Sequence, residues 1–147
     1  MNVEETYEVK ADIARVWALL NDPETLADCI PGCKSLEPAG KNAYRAEMSV
    51  GIGMIRGTYA GRVQIVDPKP PRSYRMKLEG EGPGGFIRGE AAISLKEAAG
   101  GGTTVSVAGE GELGGLLARV GQRLAAQASR SLMKQFFDCL AKKARSA

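Results

Sequence analysis

Few side chains in this sequence could carry chemistry, and the type most often used for it is missing. The 147 residues contain no histidine. That removes the commonest general base and the usual partner of a serine or cysteine nucleophile. Catalysis would have to rest on Asp, Glu, Lys, Tyr or Cys. Cys29 and Cys33 stand four apart, and a zinc site would need two further ligands, which only Cys139 and carboxylates could supply. No metal is expected, and the three cysteines read as buried, free structural thiols in a reducing compartment. Tyr7, Tyr44, Tyr59 and Tyr74 remain. A buried tyrosine hydroxyl normally finds one hydrogen-bond partner, so these four could anchor a ligand carbonyl or serve equally well as core.

The bulk composition narrows the field of partners. A chain of this length, 44% hydrophobic and 25% charged, has the size of one globular domain with its own core. Its net charge of +3 is too mild for a nucleic-acid footprint, and 5% aromatic residues offer few stacking platforms for single strands. No run of about 20 apolar residues could span a bilayer. The opening residues MNVEETYEVKAD are acidic and alternating, the opposite of a secretion signal. A cytoplasmic protein is the expectation.

The elements that must position the tyrosines follow from periodicity. Val3, Tyr7 and Val9 alternate with Glu4, Thr6 and Glu8, predicting a first strand over residues 2–10. Asp12 is an N-cap candidate for a short helix carrying Ile13, Val16, Trp17 and Leu20. Pro23 opens a second short helix, ended by Ile30-Pro31-Gly32. From Cys33 onward the period is two. Tyr44, Ala46 and Met48, then Tyr59 and Val63, then Tyr74, Met76 and Leu78, then Ile87, Ala91 and Ile93, then Val105 and Val107 take one face. Charged residues take the other, which predicts an antiparallel sheet covered on one side only.

The cover is the last third of the chain. Leu116 to about Ala144 reads as one helix of roughly 40 Å, with Leu113, Leu116, Leu117, Val120, Leu124 and Ala128 on one face. Arg119, Arg123, Arg130 and Lys134 form a row well off that face. Met133, Phe137 and that row either close onto the first strand or face a partner or an acidic lipid surface. Gly121 inside the helix suggests a close backbone approach. Several inward strand positions are glycine: Gly57, Gly61, Gly80, Gly82, Gly89, Gly109 and Gly111. Curvature explains them, and so does volume left free for a ligand; the two are compatible.

Other motifs add little. The glycines of Gly51-Ile52-Gly53-Met54-Ile55-Arg56-Gly57 join two strands and open no helix, so they mark a turn and not a phosphate loop. Glu47, Glu79 and Glu81 are outward, so an internal site lacks a catalytic carboxylate. An apolar space with a few polar handles has the profile of a binding site.

Several blocks together resemble one known family. Ile30-Pro31-Gly32-Cys33, followed by Ser35-Leu36-Glu37 and Tyr44, is similar to the opening signature of the CoxG family of carbon monoxide dehydrogenase proteins. The Gly84-Gly85-Phe86 turn, Gly89, Gly102-Thr103 and the run from Leu117 to Leu124 resemble its later blocks. The resemblance implies an α+β helix-grip fold of the START-like (SRPBCC) superfamily, in which a seven-stranded curved antiparallel sheet wraps a C-terminal helix over a deep hydrophobic pocket. It also implies an accessory role beside a molybdenum hydroxylase such as aerobic carbon monoxide dehydrogenase, recruitment of that enzyme to the membrane, and binding of a quinone. The basic end Lys142-Lys143-Ala144-Arg145 would add only weak, salt-sensitive lipid attraction, about 1 kcal/mol per cation.

The expectation is therefore a single non-enzymatic domain over residues 1–147 with a hydrophobic ligand, a quinone or other lipid, and no covalent or metal cofactor. Its pocket lining is expected from Trp17, Ile30, Tyr44, Met48, Tyr59, Met76, Phe86, Ile87, Gly109, Gly111, Leu113, Leu116, Leu117, Val120 and Leu124. The expected partners are the dehydrogenase complex and the inner membrane at its cytoplasmic face, with no nucleic acid. An assembly factor that holds no ligand, and a small START-like cyclase or hydrolase using inward tyrosines, are the competing readings.

Overall fold

A computed structural model describes residues 1–52 and 55–145. The chain begins with β1 (Asn2–Val9), α1 (Ile13–Leu20) and α2 (Pro23–Cys29). Six strands follow: β2 (Cys33–Pro38), β3 (Ala43–Ile52), β4 (Ile55–Lys69), β5 (Ser73–Gly82), β6 (Gly85–Glu97) and β7 (Thr103–Gly114). A 3-10 segment, Gly115–Val120, leads into the long helix α3 (Gln122–Arg145).

All pairings are antiparallel, in the order β1-β7-β6-β5-β4-β3-β2. β2 to β7 form a meander, and β1 closes it beside β7. The predicted alternation is clearest at one end of the sheet: Val9, Ile65, Tyr74, Ile93, Leu95 and Val105 are buried, while Glu8, Gln64, Arg75, Ser94, Lys96 and Ser106 are exposed. This is the antiparallel sheet covered by a C-terminal helix that the periodicity called for, with the seven strands that the family resemblance implied.

Local chemistry explains the helical start. Asp12 caps α1, its carboxylate accepting from the Arg15 amide at 2.8 Å. Asp22 caps α2 and also accepts from the Thr25 hydroxyl at 2.9 Å, with Pro23 in the first turn. Gly32 then turns the chain with φ of +77°, and a Cβ there would overlap the Ser49 carbonyl oxygen. Only glycine satisfies both conditions. That is the physical reason for the glycine of the Ile30–Cys33 block.

Two expectations need correction. The long helix starts at Gln122 and not at Leu116, giving about 36 Å. Gly121 has φ of +88° and breaks the run, and a Cβ there would meet nothing within 4 Å. Its glycine serves a left-handed backbone, not a close approach. The second correction concerns the cysteines. Cys29 and Cys139 form a disulfide, with Cα atoms 5.4 Å apart, and only Cys33 is free. The bridge fastens the end of α2 to α3 across 110 residues of sequence. No spacing motif reveals a pairing that distant.

The core sits at one end of the sheet. Val9, Val16, Leu19, Leu20, Ile65, Tyr74, Ile93, Val105, Phe137 and Leu140 pack there, between the sheet, α1 and the C-terminal half of α3. Tyr7 stacks on Phe137 with ring centroids 4.2 Å apart. Lys143 pairs with Asp28 at 2.8 Å, and Arg15 donates to the Lys143 carbonyl. Among the described residues, no helix is long and apolar enough to cross a membrane.

Candidate functional site: a hollow on the inner face of the sheet

The inner rows of the middle strands change character along their length. On β5 the row runs Tyr74, Met76, Leu78, and on β6 it runs Ile93, Ala91, Gly89, Ile87 alongside. Tyr74 and Ile93 are 4% and 3% exposed, whereas Leu78 and Ile87 are each 36% exposed. Neighbouring strands repeat the trend. Ile65 on β4 and Val105 on β7 are buried, while Val63, Gly61, Val107 and Gly109 are only half-buried. Apolar side chains on the covered face of a sheet stay accessible only where the cover stands off. α3 packs chiefly against β1, α1 and α2, so the far end of the middle strands stays uncovered at Leu78 and Ile87, and we take the space above them as the candidate hollow.

The glycines of this face divide by cause. A Cβ on Gly89 would lie 2.7 Å from the Glu110 carbonyl oxygen, and one on Gly111 would lie 2.9 Å from that of Arg88. Strands coiled this tightly leave no room for alanine, so curvature accounts for both. Gly82 has a different reason, because the Tyr59 ring lies across it. Gly109 is different again: its Cβ would sit at ordinary distances, 3.5 Å from the nearest atom. That glycine contributes open volume.

The mouth is capped on one side. The Gly84 amide donates to the Tyr59 hydroxyl at 3.2 Å, and the Leu117 amide donates to the Gly84 carbonyl at 2.8 Å. Tyr59 and Leu117 are thereby buried together. At the deep end, Trp17 meets the Tyr74 ring edge-on at 5.3 Å. Burial pushes the Tyr74 hydroxyl well above the usual tyrosine range. That hydroxyl has no hydrogen-bond partner among the described residues, yet no buried side-chain oxygen there is left unsatisfied. It therefore opens onto accessible space, while its ring is packed.

The expected lining residues are only partly brought together. Trp17, Tyr44, Met48, Met76, Ile87, Gly109, Gly111 and Leu113 lie along the inner rows or against the deep end, and Tyr59 and Leu117 form the cap. Ile30 caps α2, half-buried, and Val120 ends the 3-10 segment, also half-buried. Phe86 falls on the outer row, where the Arg88 guanidinium covers its ring at 4.6 Å. Leu116 and Leu124 are 56% and 49% exposed; the break at Gly121 takes Leu116 out of the helical register, whereas Leu124 lies within α3 itself.

Leu78 and Tyr74 belong in the lining and were legible by parity alone. Glu5 was also readable: it shares the row of Val3 and Tyr7, and it pairs with Arg130 of α3 at 3.0 Å. A carboxylate held by an arginine is a strut between β1 and α3, not a free base. The outer face carries shallow depressions lined by Lys77, Glu79, Arg88, Glu90, Glu110 and Glu112. Arg75–Glu90 at 3.1 Å and Arg88–Glu112 at 4.0 Å cross it as exposed pairs of little energetic weight. Among the described residues, no cluster of acids and cysteines could hold a metal ion.

Comparison with known proteins agrees with this architecture. The family model of CoxG, a carbon monoxide dehydrogenase subunit, matches residues 6–145. The crystal structure of a conserved protein from Geobacillus kaustophilus is 34% identical, with a TM-score of 0.96 over 99% of this chain and 96% of that one. A START superfamily protein from Mycobacterium smegmatis has a TM-score of 0.77 at 12% identity, covering 99% and 97%. The Zhui aromatase/cyclase from Streptomyces sp. R1128 has a TM-score of 0.72 at 14% identity, covering 98% and 93%. The last two likenesses speak for the fold alone. No curated protein matches by sequence.

Proposed function

The chain belongs to the CoxG family of carbon monoxide dehydrogenase subunits, and from that membership we propose that it is a non-catalytic accessory protein of a molybdenum hydroxylase. It holds a hydrophobic ligand, a quinone or a lipid of similar shape, between its sheet and α3. It works at the cytoplasmic face of the membrane, where it links the enzyme to the respiratory chain. The observation that carries this reading is the accessible apolar floor at Leu78 and Ile87, on the face that a helix should seal. A domain of this size ordinarily fills such a space with its own side chains. An isoprenoid chain needs a dry cleft of this kind, and nothing in the inner rows supplies an unpaired acid or base for turnover.

The test is chemical. The purified protein is extracted with organic solvent and the extract analysed by mass spectrometry, with an isoprenoid quinone or lipid as the expected finding. Added menaquinone is expected to quench the fluorescence of Trp17, the single tryptophan, which stands at the deep end. An empty extract together with unquenched fluorescence would remove the carrier role and leave only docking on the dehydrogenase.

A further inference from the structure

Tyr74 is the most deeply buried of the four inward tyrosines. The Tyr59 hydroxyl is occupied by the Gly84 amide, and the Tyr7 ring is stacked on Phe137. Tyr74 is 4% exposed and its ring is met edge-on by Trp17; no buried side-chain oxygen among the described residues lacks a partner, so its hydroxyl, which bonds to none of them, keeps a small accessible area. A tyrosine this deep usually spends its hydroxyl on a backbone group. Here Tyr74 lies on the same inner row as Leu78, about 13 Å along β5 from that accessible residue. The row thus leads from an open apolar floor to one unspent polar atom.

We propose that the Tyr74 hydroxyl is the donor that fixes the bound molecule, taking the neutral carbonyl oxygen of an otherwise apolar ligand such as a quinone, ketone or ester. This rests on the reading of the hollow as a ligand site. Burial keeps the hydroxyl protonated far into the alkaline range, so it donates and does not act as an anion. The surroundings set the ligand's charge. Trp17, Met76, Ile93 and Ile65 stand around this end, and none carries a charge that would offset a buried carboxylate or ammonium. A neutral acceptor at the end of a greasy body is what such a site accommodates.

The test compares two probes on wild-type protein and Tyr74→Phe. Diphenylhexatriene has no hydrogen-bonding atom; a decyl-substituted 1,4-naphthoquinone has two carbonyls. Tyr74→Phe is expected to weaken the quinone about five- to tenfold, the loss of one neutral hydrogen bond. Diphenylhexatriene binding should be unchanged. In wild-type protein, the infrared carbonyl band of the ¹³C-labelled quinone should be shifted to lower frequency relative to alkane solvent, and Tyr74→Phe should restore it. An unshifted band in the wild type overturns the proposal without recourse to any variant. Equal quinone affinity for wild type and Tyr74→Phe overturns the proposal while the ligand site stands. Failure of wild-type protein to bind either probe overturns both.

Discussion

Leu116 and Leu117 are adjacent in sequence and opposite in fate. Leu116 is 56% exposed, whereas Leu117 is 5% exposed and donates its amide to Gly84. A helical wheel run through this segment puts both on one face; the 3-10 geometry separates them. Leu117→Ala is expected to cost about 2–4 kcal/mol and Leu116→Ala less than about 0.5 kcal/mol. Urea unfolding of the two variants checks this, and equal costs would mean that residues 115–120 are α-helical after all.

The disulfide makes a separate forecast. In denatured, non-reduced protein, iodoacetamide should modify one cysteine, Cys33, and after reduction all three. Cys139→Ser should lower stability by about 2–5 kcal/mol, since the bridge closes a long loop in the unfolded chain. Two or three modified cysteines before reduction would show the bridge to be absent.

Glycine substitutions separate the two reasons for those residues. Gly89→Ala should destabilise by about 1–3 kcal/mol, because its Cβ would press on a carbonyl of the neighbouring strand. Gly109→Ala should be nearly neutral, within about 0.5 kcal/mol. Gly109→Leu should then diminish quinone uptake more than stability. Parallel losses in uptake and stability for Gly109→Leu would return that glycine to the curvature account.

Alkaline unfolding should follow Tyr74. Its proton is held more tightly in the folded state, because burial disfavours the phenolate. Below the ordinary tyrosine value near 10, both states are protonated and the group leaves stability unchanged. Above it the unfolded chain loses a proton that the folded chain keeps, so stability falls as pH rises. Absorbance at 295 nm should show the last phenolate forming together with the loss of the circular-dichroism signal, and Tyr74→Phe should move that unfolding to higher pH. Titration of all four tyrosines while the fold is intact would contradict this.

The legible parts of the molecule are those with a wet side. Each strand alternates because water touches one face, so Tyr74, Leu78, Ile87 and Ile93 could be assigned to one row from sequence; the count of seven strands came from the family resemblance. The cap positions of Asp12 and Asp22 were equally local. What depends on distance was not legible. Cys29 and Cys139 meet across 110 residues, and residue types suggested free thiols. Gly121 could be noticed, but a positive φ cannot be told from a close approach without a backbone. Phe86 sits one residue from Ile87 and faces the other way, so a turn displaced by one position sufficed to misplace it.

The gradient along β5 and β6 has a consequence for how such a protein diverges. The tightly packed side chains lie near positions 74 and 93, while the accessible apolar ones lie near positions 78 and 87 of the same strands. Replacements at the second pair reshape that accessible floor while the packing around the first pair stays as it is.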